Sequence, residues 1–588
     1  MNPATPASGS NEMGWGSDVA AQLLRDLGFR YVALNPGASF RGLHDSLVNY
    51  LGDADPKMVL CLHEEHAVGI AHGWAKVTGE PMAVVLHSNV GLMHGSMAIF
   101  NAWCDRVPML ILGATGPVDA ARRRPWIDWI HTATDQAALV RSFIKWDNQP
   151  ASVPAMVEAL LRADRLTRSG PPAPVYVCLD AALQEDPLQR PPALPQPRRF
   201  AAPAPSRPDA AALAAALQQL QAAERPVILA GKGARTTEAW TNRVRLAERL
   251  GAAVLTDLKA GAAFPTDHPL HAAPMFNFLS GPARAVLQQA DLLLALDWID
   301  LGGTLKQAWP AEAPPVPVIE VTLDHQLHHG ASMEHQGLAA VDHPLAGDPD
   351  ATVAELLAAL GPAPARAGWH AASSPPPPAA PARHVTLSAV AAALRDAVED
   401  PDLVSFVALS RGWPDQAWPL RHPLSYLGKD GGGGVGSGLG ISIGAALALR
   451  GTGRLPVAVL GDGDVSMGIN ALWTAAHDGI PLLILVNNNR SYLNDELHQE
   501  GVARRRGRDP SRRWIGQRMD DPALDFAKLA EAQGVEAIGP VSRPEDVPAA
   551  IARALQVVQA GRPCLIDLLC PPGAERDLNE ASGGRPAP

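Results

Sequence analysis

Two short apolar runs near the C-terminal end, each closing on a polar turn, constrain this chain more than any other feature. Leu455–Leu460 reads LPVAVL and runs into Gly461-Asp462-Gly463-Asp464. Ile480–Val486 reads IPLLILV and runs into Asn487-Asn488-Asn489. Between them, Ile469–Gly479 reads as a helix. Strand, helical crossover and strand make a parallel pair, and open parallel sheets bind ligands beyond the C-terminal ends of their strands. Two glycines let the backbone approach a diphosphate closely. Asp462 and Asn489 offer two oxygens to a hard cation such as Mg²⁺, which takes one or two protein carboxylates together with phosphates. A GDG sequence alone is also a common turn.

The same grammar runs through the chain. Its 588 residues exceed what one core can hold, so several domains are expected. Residues 14–185 alternate short apolar strands (Tyr31–Leu34, Val59–Leu62, Met82–Leu86, Met109–Leu112, Val175–Leu179) with helical stretches, the pattern of a parallel sheet with crossovers. Residues 186–208 are proline-rich and read as a linker. Residues 209–361 form a second α/β unit with strands Pro226–Ala230, Ala253–Thr256, Leu292–Leu296 and Val316–Val321. Gly231-Lys232-Gly233 after its first strand reads as a strand-to-helix turn or a weak nucleotide signal. Residues 362–383, with Ser373-Ser374 and Pro375–Pro378, read as an extended linker, and residues 384–571 as a third α/β domain. The first and third share a layout without a visible repeat.

Composition excludes other classes. A net charge of −11 with both signs dispersed gives no reason to expect nucleic acid. No run of 18 apolar residues occurs, so no membrane span is expected. Residues 1–12 lack a basic-then-apolar leader pattern. Cys61, Cys104, Cys178, Cys564 and Cys570 form no CxxC and sit mostly in apolar runs, which suits a reduced, cytoplasmic enzyme.

The acidic glycine turn and Asn cluster resemble the metal–diphosphate motif of the thiamine diphosphate (ThDP) enzymes, with Asp462 and Asn489 separated by 27 residues. That resemblance implies Asp462, Asn489 and the Ser491 carbonyl as Mg²⁺ ligands. It also implies Gly461, Gly463, Asp464, Ser491 and Tyr492 as cofactor contacts. Leu62-His63-Glu64-Glu65-His66-Ala67-Val68-Gly69-Ile70-Ala71-His72-Gly73-Trp74-Ala75 resembles the family's pyrimidine-binding stretch, in which an acid precedes a helix. Counting back from Gly69 selects Glu64 as that acid and leaves Glu65 in the first helical turn. The acid meets the aminopyrimidine, so that a C2 ylide forms and attacks a carbonyl, with an enamine following. Phe100-Asn101-Ala102-Trp103-Cys104-Asp105-Arg106-Val107-Pro108 resembles a segment of benzoylformate decarboxylases, which carry a histidine at the spacing of His87, 23 residues after Glu64. His87 reads as a proton shuttle or as a satisfied histidine under a loop. Asn35-Pro36-Gly37 matches the family's NPG turn, but Ala38 stands where that subfamily has a substrate-binding serine, and Ser39 follows one step later.

Gly431-Gly432-Gly433-Gly434-Val435-Gly436 resembles the family's glycine stretch. There Gly433 and Gly434 would meet the aminopyrimidine and Val435 would wedge under the cofactor; a flexible glycine loop is the alternative. Ser410 and Arg411 stand where the diphosphate loop begins. The resemblance spans nearly the whole chain. It implies three doubly wound parallel-sheet domains (pyrimidine-binding, middle and diphosphate-binding) and at least a homodimer, with each active site shared between two subunits.

Three features bear on the substrate. Leu296-Asp297-Trp298-Ile299-Asp300-Leu301 does not match the flavin-contacting stretch of acetolactate synthases, so FAD is not expected. No second catalytic histidine of the decarboxylase kind is found near it. Arg504, Arg505, Arg506, Arg508, Arg512, Arg513 and Arg518, after Asp495, Glu496 and His498, read as a salt-bridged loop or as recognition of an anionic substrate group. Arg122-Arg123-Arg124-Pro125-Trp126-Ile127-Asp128-Trp129 reads as an aromatic pocket wall or an interface. The expected function is ThDP- and Mg²⁺-dependent, non-oxidative decarboxylation of a 2-oxo acid. Acetolactate-type carboligation and C–C cleavage of a diketone or 2-hydroxyacyl compound are the alternatives. Rivals from other classes are a non-catalytic ThDP-binding subunit and a nicotinamide dehydrogenase, the latter disfavoured by the lack of an early GxGxxG.

Overall fold

Apolar runs bounded by polar turns become the strands of three parallel sheets. The computed structural model describes residues 12–324, 335–362, 364–370, 383–414 and 417–571. Most of the expected 362–383 linker and the tail beyond Pro571 lie outside the described residues. The chain divides into two compact units, Met1–Ala75 with Glu80–Pro203, and Lys76–Gly79 with Ala204–Pro588.

The first unit holds β1 (Tyr31–Leu34), β2 (Lys57–Leu60), β3 (Met82–Val85), β4 (Met109–Thr115), β5 (Trp146–Asn148) and β6 (Pro174–Asp180), in the order β2-β1-β3-β4-β6-β5. Every pairing is parallel. Both faces of such a sheet are covered by helices, so β3, β4 and β6 are buried along their whole length. Val19, Leu23, Leu24, Phe29, Leu47, Leu112 and Val177 pack as one core. Each fully buried Leu contributes about 1.5–3 kcal/mol, against about 1 kcal/mol for a helix cap such as Ser152 on Ala155. Caps therefore set helix ends while burial holds the sheet. Strand order reverses between β1 and β3.

The second unit holds two sheets. One comprises β7 (Pro226–Ala230), β8 (Ala253–Thr256), β9 (Leu292–Leu296), β10 (Val318–Thr322) and β11 (His343–Ala346), in the order β11-β10-β9-β7-β8. The other comprises β12 (Val404–Ala408), β13 (Leu455–Gly461), β14 (Leu483–Asn488), β15 (Glu536–Val541) and β16 (Cys564–Leu569), in the order β12-β13-β14-β16-β15. A parallel bridge from Phe406 to Tyr426 adds an extended segment outside β12. With it, this sheet repeats the strand order of the first, and its switch point falls between β12 and β13. The shared layout is thus topological.

At the strand ends that carry the motifs, two elements depart from the sequence reading. Gly461-Asp462-Gly463-Asp464 is not a free turn: Gly461 is extended (φ −72°, ψ 152°) and Asp462 already starts a helix, Asp462–Gly468, followed by Ala471–His477. Two first-turn carboxylates favour that start. Likewise, Glu64 is the first residue of the helix Glu64–Thr78 rather than the residue before it. Among the described residues, no helix is long and apolar enough to cross a membrane.

His271 is buried beside β8, its Nε2 2.9 Å from Thr256 Oγ1. Burial pulls its imidazole down to about 4. The unfolded chain binds this proton from pH 6.5 downward and the folded chain only near 4. Stability is therefore expected to fall as pH drops from 6.5 to 4, by on the order of 3 kcal/mol for this group. His271→Gln, followed by urea melts across that window, should flatten this part of the loss; an unchanged slope would remove His271 as its source.

Candidate active site

The ends of β13 and β14 bring the acidic glycine segment and the Asn cluster side by side, since Gly461 pairs with Asn487 in register. Asp462 is only 2% exposed. Its Oδ1 accepts from the Gly463 N–H at 2.9 Å and its Oδ2 from the Ser491 N–H at 3.1 Å. Burial pushes its carboxyl up to about 6, while N–H groups of Gly463, Ser491, Arg490 and Asn489 pull the other way. Asn489 lies just past β14, buried, and its Oδ1 has no hydrogen-bond partner. An orphaned buried acceptor is costly unless a ligand meets it. A buried carboxylate and an open amide oxygen on neighbouring strand ends are the donors a hard divalent cation takes, so these residues fit Mg²⁺. Arg490, with φ 58°, makes the left-handed turn between Asn489 and Ser491.

The glycine stretch is fastened to the same place. Asp464 Oδ1 accepts from the N–H groups of Gly436 at 2.6 Å and Gly438 at 3.3 Å. A Cβ on Gly438 would lie 1.9 Å from Asp464 Oδ2, and one on Gly463 would lie 2.7 Å from the Tyr492 ring. Gly433 has φ +65° with open space where a side chain would begin, and Val435 is 46% exposed. Upstream, Arg235 donates to the carbonyls of Pro423 (3.0 Å), Tyr426 (3.2 Å) and Leu427 (2.8 Å), which ties the middle sheet to the segment leading into this loop. Ser410 follows β12 and accepts from Asn487 Nδ2 at 3.4 Å; Arg411 bonds Asn494. Asp462, Asn489, Ser491, Gly461, Gly463, Asp464, Tyr492 and Ser410 therefore gather around the C-terminal ends of β12, β13 and β14.

The arginine-rich segment resolves into two kinds. Glu496 is fully buried and Glu500 nearly so on the helix Leu493–Arg505. Arg513 and Arg518 bond Glu496 at 3.3 and 3.4 Å, Arg504 bonds Glu500 at 2.6 Å, and Arg513 bonds Glu500 as well. Unpaired, those buried carboxylates would cost several kcal/mol, which accounts for these three arginines structurally. Arg505, Arg506, Arg508 and Arg512 are exposed. In the middle sheet, Gly231 and Lys232 donate their N–H groups to the carbonyls of Leu296 and Asp297, both at 3.0 Å. That backbone is committed to packing, and the glycine turn is structural. Asp297, Trp298 and Asp300 likewise bond Thr322, Thr304 and Gly303.

In the first unit, Glu64 is 6% exposed at the end of β2. Its Oε2 lies 3.1 Å from His94 Nδ1 on the helix Ser88–Cys104. A Cβ on Gly91 would lie 3.0 Å from Glu64 Oε1 and 3.1 Å from His87 Cβ, so this glycine lets Glu64 and His87 converge. Gly37 of the NPG turn packs on His87, where a Cβ would lie 2.5 Å from His87 Cβ and 2.6 Å from the ring. Ser39 Oγ lies 2.7 Å from His87 Nδ1 and accepts from the Ser88 N–H at 3.1 Å. The serine one step late in sequence thus reaches the histidine. The ring of His131 sits 4.7 Å from that of His87, at 68°. Burial lowers the His87 pKa, His131 lowers it further and Glu64 opposes both. Sequence reasoning did not single out His94 or His131. His94 is reached only because the helix begins at Ser88, just after β3, which turns that side chain toward Glu64; for His131 only proximity to the Trp126–Trp129 stretch is readable.

Three family descriptions match the chain in order: thiamine pyrophosphate enzyme, N-terminal TPP binding domain (14–139), central domain (213–356) and C-terminal TPP binding domain (407–568). The chain belongs to the thiamine diphosphate-dependent enzymes, in their decarboxylase and carboligase branch. It is 28% identical to benzoylformate decarboxylase of Pseudomonas aeruginosa, covering 93% of this chain and 97% of that one. It is also 28% identical to the large subunit of acetolactate synthase isozyme 1 of Escherichia coli, covering 81% and 82%. The fold matches the thiamine diphosphate-dependent 4-hydroxybenzoylformate decarboxylase of Rhodococcus jostii RHA1, with TM-score 0.74 and 23% identity over 95% of this chain and 100% of that one.

Proposed function

We propose that this enzyme decarboxylates a 2-oxo acid without oxidation, using ThDP and Mg²⁺, in the manner of benzoylformate decarboxylase. The observation that carries the reading is the convergence of Glu64, His87 and Ser39 around Gly37 and Gly91. Asp462, Asn489 and Ser491 would hold the cation. Gly461, Gly463, Asp464, Tyr492, Ser410 and Arg411 would cradle the diphosphate, with Gly433, Gly434 and Val435 against the aminopyrimidine. The bound cofactor supplies an electron sink for the carbonyl carbon. Glu64 holds the proton that activates it, and His87, steadied by Ser39, moves a proton to or from the substrate. We propose that self-association completes the sites. Among the described residues no cysteine forms a disulfide, which suits the cytoplasm.

Likeness to acetolactate synthase favours one second reading, capture of a second carbonyl in place of a proton. CO₂ release from pyruvate, branched, aromatic and dicarboxylic 2-oxo acids, with ThDP, Mg²⁺ and product identification, separates the two. CO₂ with a free aldehyde is expected. CO₂ with a hydroxy ketone would make the enzyme a carboligase. No CO₂ from any acid, with ThDP bound, would shift the reading to a lyase or a non-catalytic subunit.

A further inference from the structure

The ring of His131 is placed against His87 by contacts that do not use it. The backbone N–H of His131 donates to the Ile127 carbonyl at 3.2 Å. Asn89 Nδ2 donates to the Ile130 carbonyl at 3.2 Å, and the Gly116 N–H donates to Thr132 Oγ1 at 3.3 Å. Arg124 and buried Asp128 clamp the helical turn before it, with Arg124 N 2.6 Å from Asp128 Oδ2. Trp126, with φ 52°, enters that turn in a left-handed conformation costly for a bulky residue. A strained, well-anchored segment that leaves its imidazole beside a second imidazole is not explained by packing alone.

The hydrogen bonds also set which nitrogen of His87 is engaged. Ser39 Oγ accepts from the Ser88 N–H and lies 2.7 Å from His87 Nδ1, so the hydroxyl occupies that nitrogen. Nε2 is the ring nitrogen left to exchange a proton. The titratable groups facing His87 are Glu64 and His131. With ring centroids 4.7 Å apart, a positive charge on one imidazole disfavours a positive charge on the other.

We infer that His131 is a second proton-carrying group of this active site, acting through His87. When His87 gives up its Nε2 proton during turnover, His131 returns one to it, directly or through a single water, and regains its own from solvent. The inference rests on the decarboxylation reading and adds a residue to it. It also gives the site a second histidine, from the first unit.

The test compares wild type, His131→Ala and His131→Asn in the full-length enzyme. With the best 2-oxo acid, kcat for CO₂ release is expected to fall about 10–100-fold in both variants. KM and the ThDP activation constant should hold. The acid limb of the kcat profile should move to higher pH, because His87 loses a repelling neighbour. Added imidazole should restore part of the His131→Ala rate. Unchanged kcat and pH profile, or a loss with an unshifted profile and no rescue, would overturn the inference. A second readout needs no turnover: NMR titration of histidine-labelled protein should show His87 titrating at higher pH in His131→Asn. An identical His87 titration would also overturn it, whereas a wild type that binds ThDP but releases no CO₂ would take down the decarboxylation reading instead.

Discussion

Glu64→Gln is expected to bind ThDP and Mg²⁺ nearly as well as wild type, yet to exchange the C2 proton of bound ThDP about 10²–10⁴-fold more slowly. Glutamine keeps the volume and one acceptor oxygen of a side chain that is 6% exposed, so the pocket at the end of β2 should hold its shape. It removes only the ionisable proton. The cation and diphosphate donors proposed here come from other strands, β12, β13 and β14, so cofactor affinity should report little of the change. Deuterium exchange at C2, quenched in acid and read by NMR, measures the step directly. Exchange at the wild-type rate would remove Glu64 from its role, and Glu65, its neighbour in the same first turn, would be tested next.

Asp462→Asn should have the opposite profile: an intact fold that no longer takes its cofactor. A buried carboxylate held by N–H groups alone is a liability in the metal-free protein. Asparagine removes the buried charge but turns its NH₂ toward one of the two N–H groups that the carboxylate accepts, so without ThDP and Mg²⁺ the variant should stay folded with a Tm close to that of wild type. With them, wild type should gain in Tm as a ligand that binds only the folded state stabilises it, and the variant should not. Mg²⁺-dependent ThDP affinity is expected to drop by about 100-fold or more, since even residues behind a metal ligand cost 10–100-fold. Calorimetric titration of ThDP at fixed Mg²⁺ decides it, and near-wild-type affinity would show that Asp462 is not a cation ligand.

What could be read in advance followed burial. β7, β8 and β9 match the apolar runs residue for residue, because a strand covered on both faces has no polar position to blur its ends. Trp146–Asn148 is only half-buried and His343–Ala346 buries a single residue, so neither carried a strand signal. The start of the helix at Asp462 was hidden by two glycines that read as a break, although Gly461 is simply extended. In the site, motif residues were legible because their chemistry is local to a strand end. The contacts of Ser39 and His131 with His87 join residues 48 and 44 positions apart, and no periodicity encodes them. The Arg504–Glu500 pair, four apart on a helix, was within reach of simple spacing.

The contacts that fasten the glycine stretch to the acidic segment also set how much this corner of the molecule can change. The space a side chain would need at Gly438 belongs to Asp464, and that at Gly463 to Tyr492. Neither glycine can be exchanged without shrinking a partner that sits in the same corner, so mutational drift here must come in pairs. Gly433 is different: nothing lies within 4 Å of its missing Cβ, and only its backbone, at φ +65°, restricts it. Asparagine, which tolerates that conformation better than most residues, is the substitution such a position admits. A library aimed at reshaping this pocket has its freedom there and almost none at the two crowded glycines.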